Sequence, residues 1–183
     1  LKLWENFRGY NVLALKNERA TDLNSLIFQM IANLSRLQQM NAVFDHNSVK
    51  IMERSIHSSY HVFVKNSHDD LGLGQLTTEA LQYNYEVLTQ GHLKKFCDPD
   101  LLVYVKTTPE VCFTRMKNRN RPSENNLTLE YLQQLHRKHE DWIKVDEQGN
   151  LPELRCTLIT VNGNLTPEQL KAEASRVLKE ILR

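Results

Sequence analysis

Three arginines lie close together in the second half of the sequence, at Arg115, Arg119 and Arg121. Arg115 and Arg119 are four residues apart, so on a helix they share one face, and Arg121 follows directly beyond it. Three guanidinium groups could converge there on a phosphate, because phosphoryl transfer develops negative charge that cations stabilise. The alternative is a basic helix end that faces solvent and complements the helix dipole. The spacing leaves both interpretations open.

A second charged group, Glu53-Arg54-Ser55, ends a short apolar run. In open parallel α/β sheets ligands bind outside the carboxyl ends of the strands, so polar residues directly after a strand are candidates for a binding site. Arg54 could hold a phosphate or a carboxylate there. An ion pair that closes the end of the strand explains the same residues equally well.

Gln29, Asn33 and Arg36 follow one another at intervals of four and three residues, and so form one stripe on a helix. Such a stripe usually faces water. If it faces a crevice instead, an amide and a guanidinium could read the hydrogen-bonding edge of a nucleobase.

Histidines also occur at helical spacing, in the pairs His57 with His61 and His136 with His139. Neither pair comes with a third ligand, so no metal centre is expected. The three cysteines are widely spaced, form no CxxC pair and lie near no base motif, so neither a disulfide framework nor a cysteine nucleophile is expected.

The composition of the 183 residues narrows the class of protein. Lys plus Arg number 23 against 22 for Asp plus Glu, so there is no broad positive field of the kind that attracts nucleic acid. No apolar stretch approaches the roughly 20 residues that span a bilayer, so no membrane partner is expected either. With 40% hydrophobic residues, the chain is expected to form one domain over residues 1–183.

Alternating strands and helices must position these side chains. Apolar residues at helical spacing predict a long helix from Asp22 to Met40. Short runs rich in β-branched residues predict three strands, at Val49–Ser55, Asp100–Lys106 and Thr157–Val161. A helix signal follows each strand, at Ser58, at Thr108-Pro109-Glu110 and at Thr166-Pro167-Glu168-Gln169. Two further helices are predicted over 77–90 and 128–142. This alternation predicts an α/β fold with a parallel sheet.

Several motifs, in order along the chain, match one family. They are Phe28-Gln29 with Ala32 and Leu34-Ser35-Arg36, Glu53-Arg54-Ser55-Ile56-His57-Ser58, Thr108-Pro109-Glu110, the Arg115/Arg119/Arg121/Glu124 group, and Tyr131-Leu132 with Leu135-His136 and His139-Glu140-Asp141-Trp142. With them the sequence resembles the deoxynucleoside kinases, which include deoxycytidine, deoxyguanosine, insect deoxynucleoside and mitochondrial thymidine kinases. The resemblance implies a three-layer fold of the P-loop-containing nucleoside triphosphate hydrolase type. It also implies transfer of the γ-phosphate of ATP, with Mg²⁺, to the 5′-hydroxyl of a deoxyribonucleoside in nucleotide salvage.

The resemblance further implies roles for residues of a nucleoside pocket. Gln29 would bind the base through its amide, and Phe63 would stack on the base. Trp4 and Leu13 would line the pocket, and Arg54 would hold the region of the 5′-hydroxyl and the catalytic carboxylate.

Other residues are implied to contact the sugar and ATP. Glu124 would bind the 3′-hydroxyl of the sugar. The residues implied to contact ATP are Glu53 near the magnesium-bound phosphates, Arg115, Arg119 and Arg121 as a clamp on the phosphates, and Asn162 and Gly163 beside the adenine. Arg54, Arg119 and Arg121 are the implied catalytic residues.

The residues around the base match one branch of the family only in part. Ala32 and Arg36 match the deoxycytidine and deoxyguanosine branch, which implies that Arg36 contributes to substrate binding. That branch pairs its arginine with an aspartate where this sequence has Ser59, so the preferred base is left open. The family's tyrosine for the 3′-hydroxyl falls at Asn17, a second departure.

Two parts of the family pattern are absent from the sequence. There is no GxxxxGK[ST] loop to cradle phosphates, and no glutamate in a Glu-Pro-Val-like stretch before Trp4 to take the proton of the 5′-hydroxyl. The expectation is a truncated form of a larger kinase that lacks the first strand, the P-loop and the second strand, and is inactive by itself. The alternative is a catalytically inactive, kinase-like accessory protein, such as the respiratory complex I subunit that resembles these kinases.

The resemblance has implications for assembly and location as well. Family members are generally homodimers, which implies a contact with a second copy through parts of Ser58 to Asn66 and Asp22 to Met40. Relatives occur in the cytosol, nucleus and mitochondrion, so a cytoplasmic or mitochondrial location is expected, with the cytoplasm favoured.

Overall fold

Helices make up most of the fold, and the long predicted helix is among them. The computed structural model describes residues 6–18, 21–42, 48–145, 150–151, 154 and 156–181. Helix α1 (Val12–Glu18) packs against α2 (Asp22–Met40), which has the predicted bounds. The Thr21 hydroxyl caps α2 by accepting the backbone N–H of Asn24 at 3.2 Å.

A continuous helical stretch follows the extended segment that carries Arg54. It comprises α3 (Ile56–Ser58), a π-helical turn (Ser59–Val64) and α4 (Lys65–Asp69). Ser55 caps α3 through a capping box with Ser58, so the helix begins two residues before the predicted start.

The remaining helices alternate with a small sheet, as predicted. They are α5 (Gln75–Thr89), a 3₁₀ turn (Gly91–Leu93), α6 (Lys94–Cys97), α7 (Pro109–Arg119), a second 3₁₀ turn (Pro122–Glu124), α8 (Leu129–Trp142) and α9 (Pro167–Ile181). At the start of α9, Thr166 and Gln169 exchange side-chain and backbone hydrogen bonds, which confirms the predicted capping box.

Two of the three predicted strands are confirmed, and they are parallel. Strand β1 (Leu101–Lys106) pairs in parallel with β3 (Cys156–Asn162), and the short β2 (Asn150–Leu151) pairs antiparallel with the other edge of β3. The register sets Lys106 opposite Asn162. The carboxyl ends of β1 and β3 therefore lie side by side, where a ligand site is expected.

The predicted strand at Val49–Ser55 is wrong. Residues 48–53 form no regular secondary structure and pair with no strand among the residues that the structure describes, and Ser55 belongs to the cap of α3. An extended segment becomes a strand only when a neighbour satisfies its backbone groups. The side chains of Val49 and Ile51 are accordingly exposed.

In the described part of the chain, many of the buried apolar side chains gather in three clusters. These are Ile56 with Leu88 and Cys97, Val64 with Leu73 and Leu81, and Leu151 with Leu154 and Cys156. The first two clusters lie between α5 and the helical stretch that follows Arg54, and so hold that stretch in place. Among the described residues, no helix has the length and apolar character needed to cross a membrane.

Candidate active site

Arg54 occupies an unusual backbone position at the end of the extended segment. Its φ of +67° lies in the left-handed region, which costs a non-glycine residue about 1–3 kcal/mol and is concentrated at functional sites. Its guanidinium carbon lies 4.3 Å from the centroid of the Phe63 ring, a cation–π contact. His139 of α8 meets the same ring edge to face at 6.5 Å between ring centroids. Arg54 and Phe63 are therefore brought together.

The polar stripe of α2 is buried and does not face water. Gln29 is 3% exposed, and Asn33 and Arg36 are also buried. This burial excludes the solvent-facing alternative for all three side chains. Asn33 uses its amide within the protein, because its Nδ2 donates to Oδ1 of Asn84 on α5 at 3.1 Å.

Gln29 differs from Asn33 because its amide nitrogen is left without a partner. Among the described residues, Nε2 of Gln29 has no hydrogen-bond acceptor, although the atom is buried. Leaving a buried donor unsatisfied costs about 1–3 kcal/mol, so such an atom in a native protein calls for an explanation. A base that accepts this hydrogen bond would remove the penalty.

The charges of Glu53 and Arg54 act on Arg36, the last residue of the polar stripe on α2. Burial and, after it, the like charge of Arg54 lower the pKa of Arg36 to about 10, against the opposing effect of the Glu53 carboxylate. Glu53, Arg36 and Arg54 therefore share one neighbourhood. The buried Ser59, which stands where one branch of the family has an aspartate, donates to the carbonyl of Ser55 at 3.3 Å.

Of the other two residues expected in the nucleoside pocket, the structure describes Leu13 but not Trp4. Leu13 is half-buried on α1, which packs against α2 close to the polar stripe. Trp4 lies outside the described residues.

Two of the three clustered arginines converge, and they do so on a carboxylate. Nη2 of Arg119 donates to Oε2 of Glu124 at 2.7 Å, and Nη1 of Arg121 lies 3.5 Å from Oε1 of the same carboxylate. Asn120, with φ +50°, ends α7 in the left-handed conformation and turns the chain so that both arginines reach Glu124. Both guanidinium groups are about half exposed, which leaves them accessible to a phosphate.

Arg115 does not join the other two arginines. Its Nη1 donates to the carbonyl of Gly163 at 2.6 Å and its Nη2 to the carbonyl of Leu165 at 2.7 Å. The expected convergence of three guanidinium groups is therefore wrong for Arg115. The helical spacing places Arg115 and Arg119 on one face, but Arg115 lies one turn nearer the sheet and meets the loop after β3.

That loop, residues 162–165, is held at the carboxyl ends of β1 and β3. The N–H of Gly163 donates to the carbonyl of Lys106 at 2.7 Å, and Oδ1 of Asn162 accepts the N–H of Asn164 at 3.0 Å. A Cβ atom at Gly163 would collide with Oγ1 of Thr107, so only glycine fits there without displacement. Arg115 therefore orients the segment that is implied to lie beside adenine.

Lys16 is a site residue that the sequence patterns did not single out. It is 8% exposed, and its Nζ lies 5.7 Å from the ring centroid of Phe28 and 5.9 Å from that of Tyr131. Burial lowers the pKa of its amine, and the charge of Arg54 lowers this pKa further. The available signal was its spacing from the buried Val12, four residues earlier on the same helix face.

The histidine pairs do not form a metal centre in the part of the chain that is described. No group of three or more His, Cys, Asp or Glu residues is arranged there to hold a metal ion. The rings of His57 and His61 instead share the hydroxyl of Tyr85, at 2.9 Å and 3.0 Å.

Comparison with known proteins agrees with this geometry. The family model described as deoxynucleoside kinase matches residues 2–181. Human mitochondrial thymidine kinase 2 is 33% identical over 140 residues, which are 76% of this chain and 51% of that protein. Chicken deoxycytidine kinase 2 is 29% identical over 176 residues, which are 90% of this chain and 65% of that protein. Human deoxycytidine kinase is 29% identical over 141 residues, 74% of this chain and 54% of that protein.

The chain thus spans between half and two thirds of the length of these relatives. The family match covers the buried amide of α2, the Arg54 turn, the arginines beyond α7 and the loop after β3 in one continuous stretch. The parallel pair of strands with flanking helices is consistent with a P-loop kinase fold. The chain belongs to the deoxynucleoside kinase family.

Proposed function

We propose that the protein is an ATP-dependent kinase that phosphorylates the 5′-hydroxyl of a deoxyribonucleoside. The observation that carries this proposal is the buried amide of Gln29, whose Nε2 donor finds no acceptor among the described residues. It lies on the same buried stripe of α2 as Arg36, whose pKa responds to the charge of Arg54. A purely structural domain has no need of a base-reading amide beside a group of arginines.

On the acceptor side, the base would bind the amide of Gln29 and stack on Phe63. Arg36 would lie at the far edge of the base, with Leu13 and Trp4 lining the pocket. Arg54, fixed by its left-handed backbone and by the Phe63 ring, would hold the 5′-hydroxyl in line with the transferred phosphate. Glu124 would accept a hydrogen bond from the 3′-hydroxyl. Positioning of this kind supplies much of the rate of phosphoryl transfer.

On the donor side, Arg119 and Arg121 would bind the ATP phosphates. Both already hold a negatively charged group, the Glu124 carboxylate, in a geometry that a phosphate oxygen can adopt. The adenine would lie on the loop at Asn162 and Gly163, which Arg115 holds in place. These exposed guanidinium groups and the ordered loop fit a nucleoside triphosphate.

The magnesium ion expected with ATP fits a single protein carboxylate. Mg²⁺ keeps several waters and takes most of its other ligands from phosphate oxygens, so one carboxylate is enough on the protein side. Glu53 is exposed at the end of the extended segment and is suited to this role. When bound, the ion neutralises charge on the transferred phosphoryl group.

Phosphoryl transfer also needs a phosphate loop and a general base, and the 183 residues contain no GxxxxGK[ST] motif. We therefore expect these residues by themselves to bind a deoxyribonucleoside without turning it over. We propose that the protein is located in the cytoplasm or the mitochondrion. The mitochondrial location is supported by the similarity to mitochondrial thymidine kinase 2.

We also propose a homodimer. Its contact surface would comprise α2, as expected, together with α5 in place of the stretch from Ser58 to Asn66. The stretch from Ser58 to Asn66 is mostly buried within the protomer, with Tyr60 and Phe63 only partly exposed, so it offers little apolar surface to a second copy. The packed helices α2 and α5 do offer such a surface, which we name the α2/α5 face. Its exposed apolar residues are Leu23, Ile27, Met30 and Leu34 on α2 and Leu76, Tyr83 and Val87 on α5.

The function is tested by assaying the intact protein with ATP and Mg²⁺ on deoxycytidine, deoxyguanosine, deoxyadenosine and thymidine. We expect a 5′-monophosphate from at least one of them, identified by mass. The relative rates also determine the preferred base, which Arg36 and Ser59 leave open. Turnover of none of the four would contradict the proposal and favour a non-catalytic accessory role.

A further inference from the structure

Lys16 is a buried cation for which the proposed reaction provides no role. It makes no hydrogen bond or ion pair with any residue that the structure describes. The charge that acts on its amine is that of Arg54, which has the same sign. Burying an ammonium group without an opposite charge is costly, so such a group suits the binding of an electron-rich ligand.

Lys16 lines a cavity of about 250 Å³ whose walls are partly polar and partly apolar. Ser25 and Ser67, both buried, lie in these walls. Asp22 lines the cavity too, but its carboxylate is bound by the N–H of Gly74 and the hydroxyl of Thr77. Pockets for whole drug-sized ligands measure about 300–1,000 Å³, so this cavity suits one part of a ligand, such as a sugar ring.

The cavity lies beside the base-reading amide. Ser25, which lines the cavity, lies one helical turn before Gln29 on the same side of α2, and both residues are buried. On the other side the cavity is lined by Asn126 and Leu127, which lie two and three residues after Glu124. A nucleoside whose base reaches Gln29 would therefore have its sugar between Lys16 and the segment that carries Glu124.

The chemistry of the amine selects which atom of the sugar it binds. A protonated amine has three N–H donors and no acceptor, so it binds oxygen lone pairs. A 2′-deoxyribose carries two hydroxyls, and the proposed reaction uses the one at 5′. The 3′-hydroxyl is left, and it can donate its proton to Glu124 while it accepts a hydrogen bond from Lys16.

We propose that Lys16 is a specificity-determining residue of the acceptor site, and that its ammonium group binds the 3′-hydroxyl oxygen of the deoxyribonucleoside. This inference rests on the proposed function. A site built to hydrogen-bond a hydroxyl discriminates strongly against an analogue that lacks it, because the polar groups of the site are then left unpaired. Lys16 thus makes the pocket select 2′-deoxyribonucleosides over 2′,3′-dideoxyribonucleosides.

The test compares the Kd values of a 2′-deoxyribonucleoside and the 2′,3′-dideoxyribonucleoside with the same base, by calorimetry on the 183-residue chain. We expect the unaltered protein to bind the deoxy compound about 100-fold more tightly. Lys16→Met keeps the length of the side chain and removes its charge, and it should reduce this ratio about tenfold or more. Lys171→Met, at an exposed lysine of α9, is the matched control and should leave the ratio unchanged.

The ratio separates recognition from general damage, since a merely structural role of Lys16 would weaken both nucleosides equally. Equal weakening in Lys16→Met, or an unchanged ratio, would overturn the inference while the proposed function stands. Binding of none of the four bases as deoxyribonucleosides by the unaltered protein would overturn both. Thermal unfolding of Lys16→Met verifies that the variant is folded, and Lys16→Gln, which keeps a neutral donor, should give an intermediate ratio.

Discussion

The side chain of Gln29 is buried, and its Nε2 has no hydrogen-bond acceptor among the described residues. Such an amide is suited to bind a ligand, whereas an amide whose donor is already bonded within the protein is suited to a structural role. Asn33, one turn later on the same stripe, is equally buried, but its amide nitrogen donates to Asn84, and only its Oδ1 lacks a partner among the described residues. The two side chains show that the pattern of polar residues on α2 does not by itself distinguish the two roles. The distinction depends on what α5 places opposite each of them.

We expect Gln29→Leu to weaken deoxyribonucleoside binding about 10-fold to 100-fold while the free energy of unfolding stays the same or rises. Binding falls because the base loses its amide partner, and stability is kept because a buried unsatisfied donor worth about 1–3 kcal/mol is removed. Calorimetry and urea unfolding measure the two quantities. Gln82→Leu, at an exposed glutamine of α5, is the control. Lower stability with unaltered binding would show that Gln29 is structural.

His57 and His61 form a second buried polar group, joined through Tyr85. Burial and, after it, the charges of Lys65 and His57 lower the pKa of His61 to about 4. Burial also lowers the pKa of His57, against the opposing effect of Asp98, which bonds its Nε2 at 3.0 Å. Both rings are therefore held neutral in the folded protein at pH values where they titrate in the unfolded chain.

Stability should consequently fall as the pH falls. Between the unfolded pKa of 6.5 and about 4, the unfolded state binds a proton that folded His61 does not, so the free energy of unfolding decreases by about 1.4 kcal/mol per pH unit and histidine. Urea unfolding at pH 7.5, 6.5 and 5.5 measures this slope. His61→Gln should flatten the slope below pH 6.5, and His92→Gln, at an exposed histidine, should not. An unaltered slope in His61→Gln would exclude this source of pH dependence.

At the scale of elements, α7 carries two arginines with different tasks. Arg115 ties the helix to the loop after β3, whereas Arg119 lies in the last turn and holds Glu124 across Asn120. The first contact positions a loop, and the second holds a carboxylate that a phosphate can replace. Substitution of Arg119 should therefore affect mainly turnover, whereas substitution of Arg115 should also affect stability.

We expect Arg119→Ala to lower turnover of the intact protein at least tenfold and to change the free energy of unfolding by about 1 kcal/mol or less, since an exposed ion pair contributes little. Arg115→Ala should also cost stability, because it leaves two carbonyls without their donor. Arg176→Ala, which removes an equally exposed arginine paired with carboxylates on α9, should affect neither quantity much. Equal losses of stability and turnover in Arg119→Ala would contradict the proposed phosphate contact.

Local patterns predicted these elements well where the cause is local. The caps at Thr21, Thr128 and Thr166 place the starts of α2, α8 and α9. The segment at 48–53 was not predictable in the same way, because a strand requires a partner that its own residues do not specify. The partner of Arg115 was not predictable either. An arginine is expected to donate hydrogen bonds to oxygen atoms, but the sequence does not show whether these belong to a phosphate or to backbone carbonyls.

At the scale of the whole molecule, the α2/α5 face carries seven exposed apolar side chains on two packed helices. Leu23, Ile27, Met30 and Leu34 recur at intervals of three and four residues on the side of α2 opposite its buried stripe. Helix α2 therefore buries its polar stripe on one side and exposes apolar side chains on a second side. The exposure of the second side became visible only in the folded protein.

We expect Leu34→Glu to convert a homodimer into a folded monomer. Leu34 is 55% exposed in the protomer, so the new charge disturbs a second copy rather than the core. Light scattering after size exclusion measures the mass, and circular dichroism checks the fold. Leu178→Glu, at an exposed leucine of α9, is the control and should leave the dimer intact. A monomeric unaltered protein would refute the proposed assembly.

The π-helical turn at Ser59–Val64 determines the direction in which the Phe63 side chain points relative to the start of its helix. Each residue of a regular α-helix advances the side-chain direction by about 100°. Removing one residue between Ser58 and Phe63 would permit an unbroken α-helical ladder, but it would rotate the Phe63 ring away from the Arg54 guanidinium. This helix is therefore expected to tolerate substitutions more readily than single-residue deletions, and its less regular hydrogen bonding is tied to the orientation of one ring.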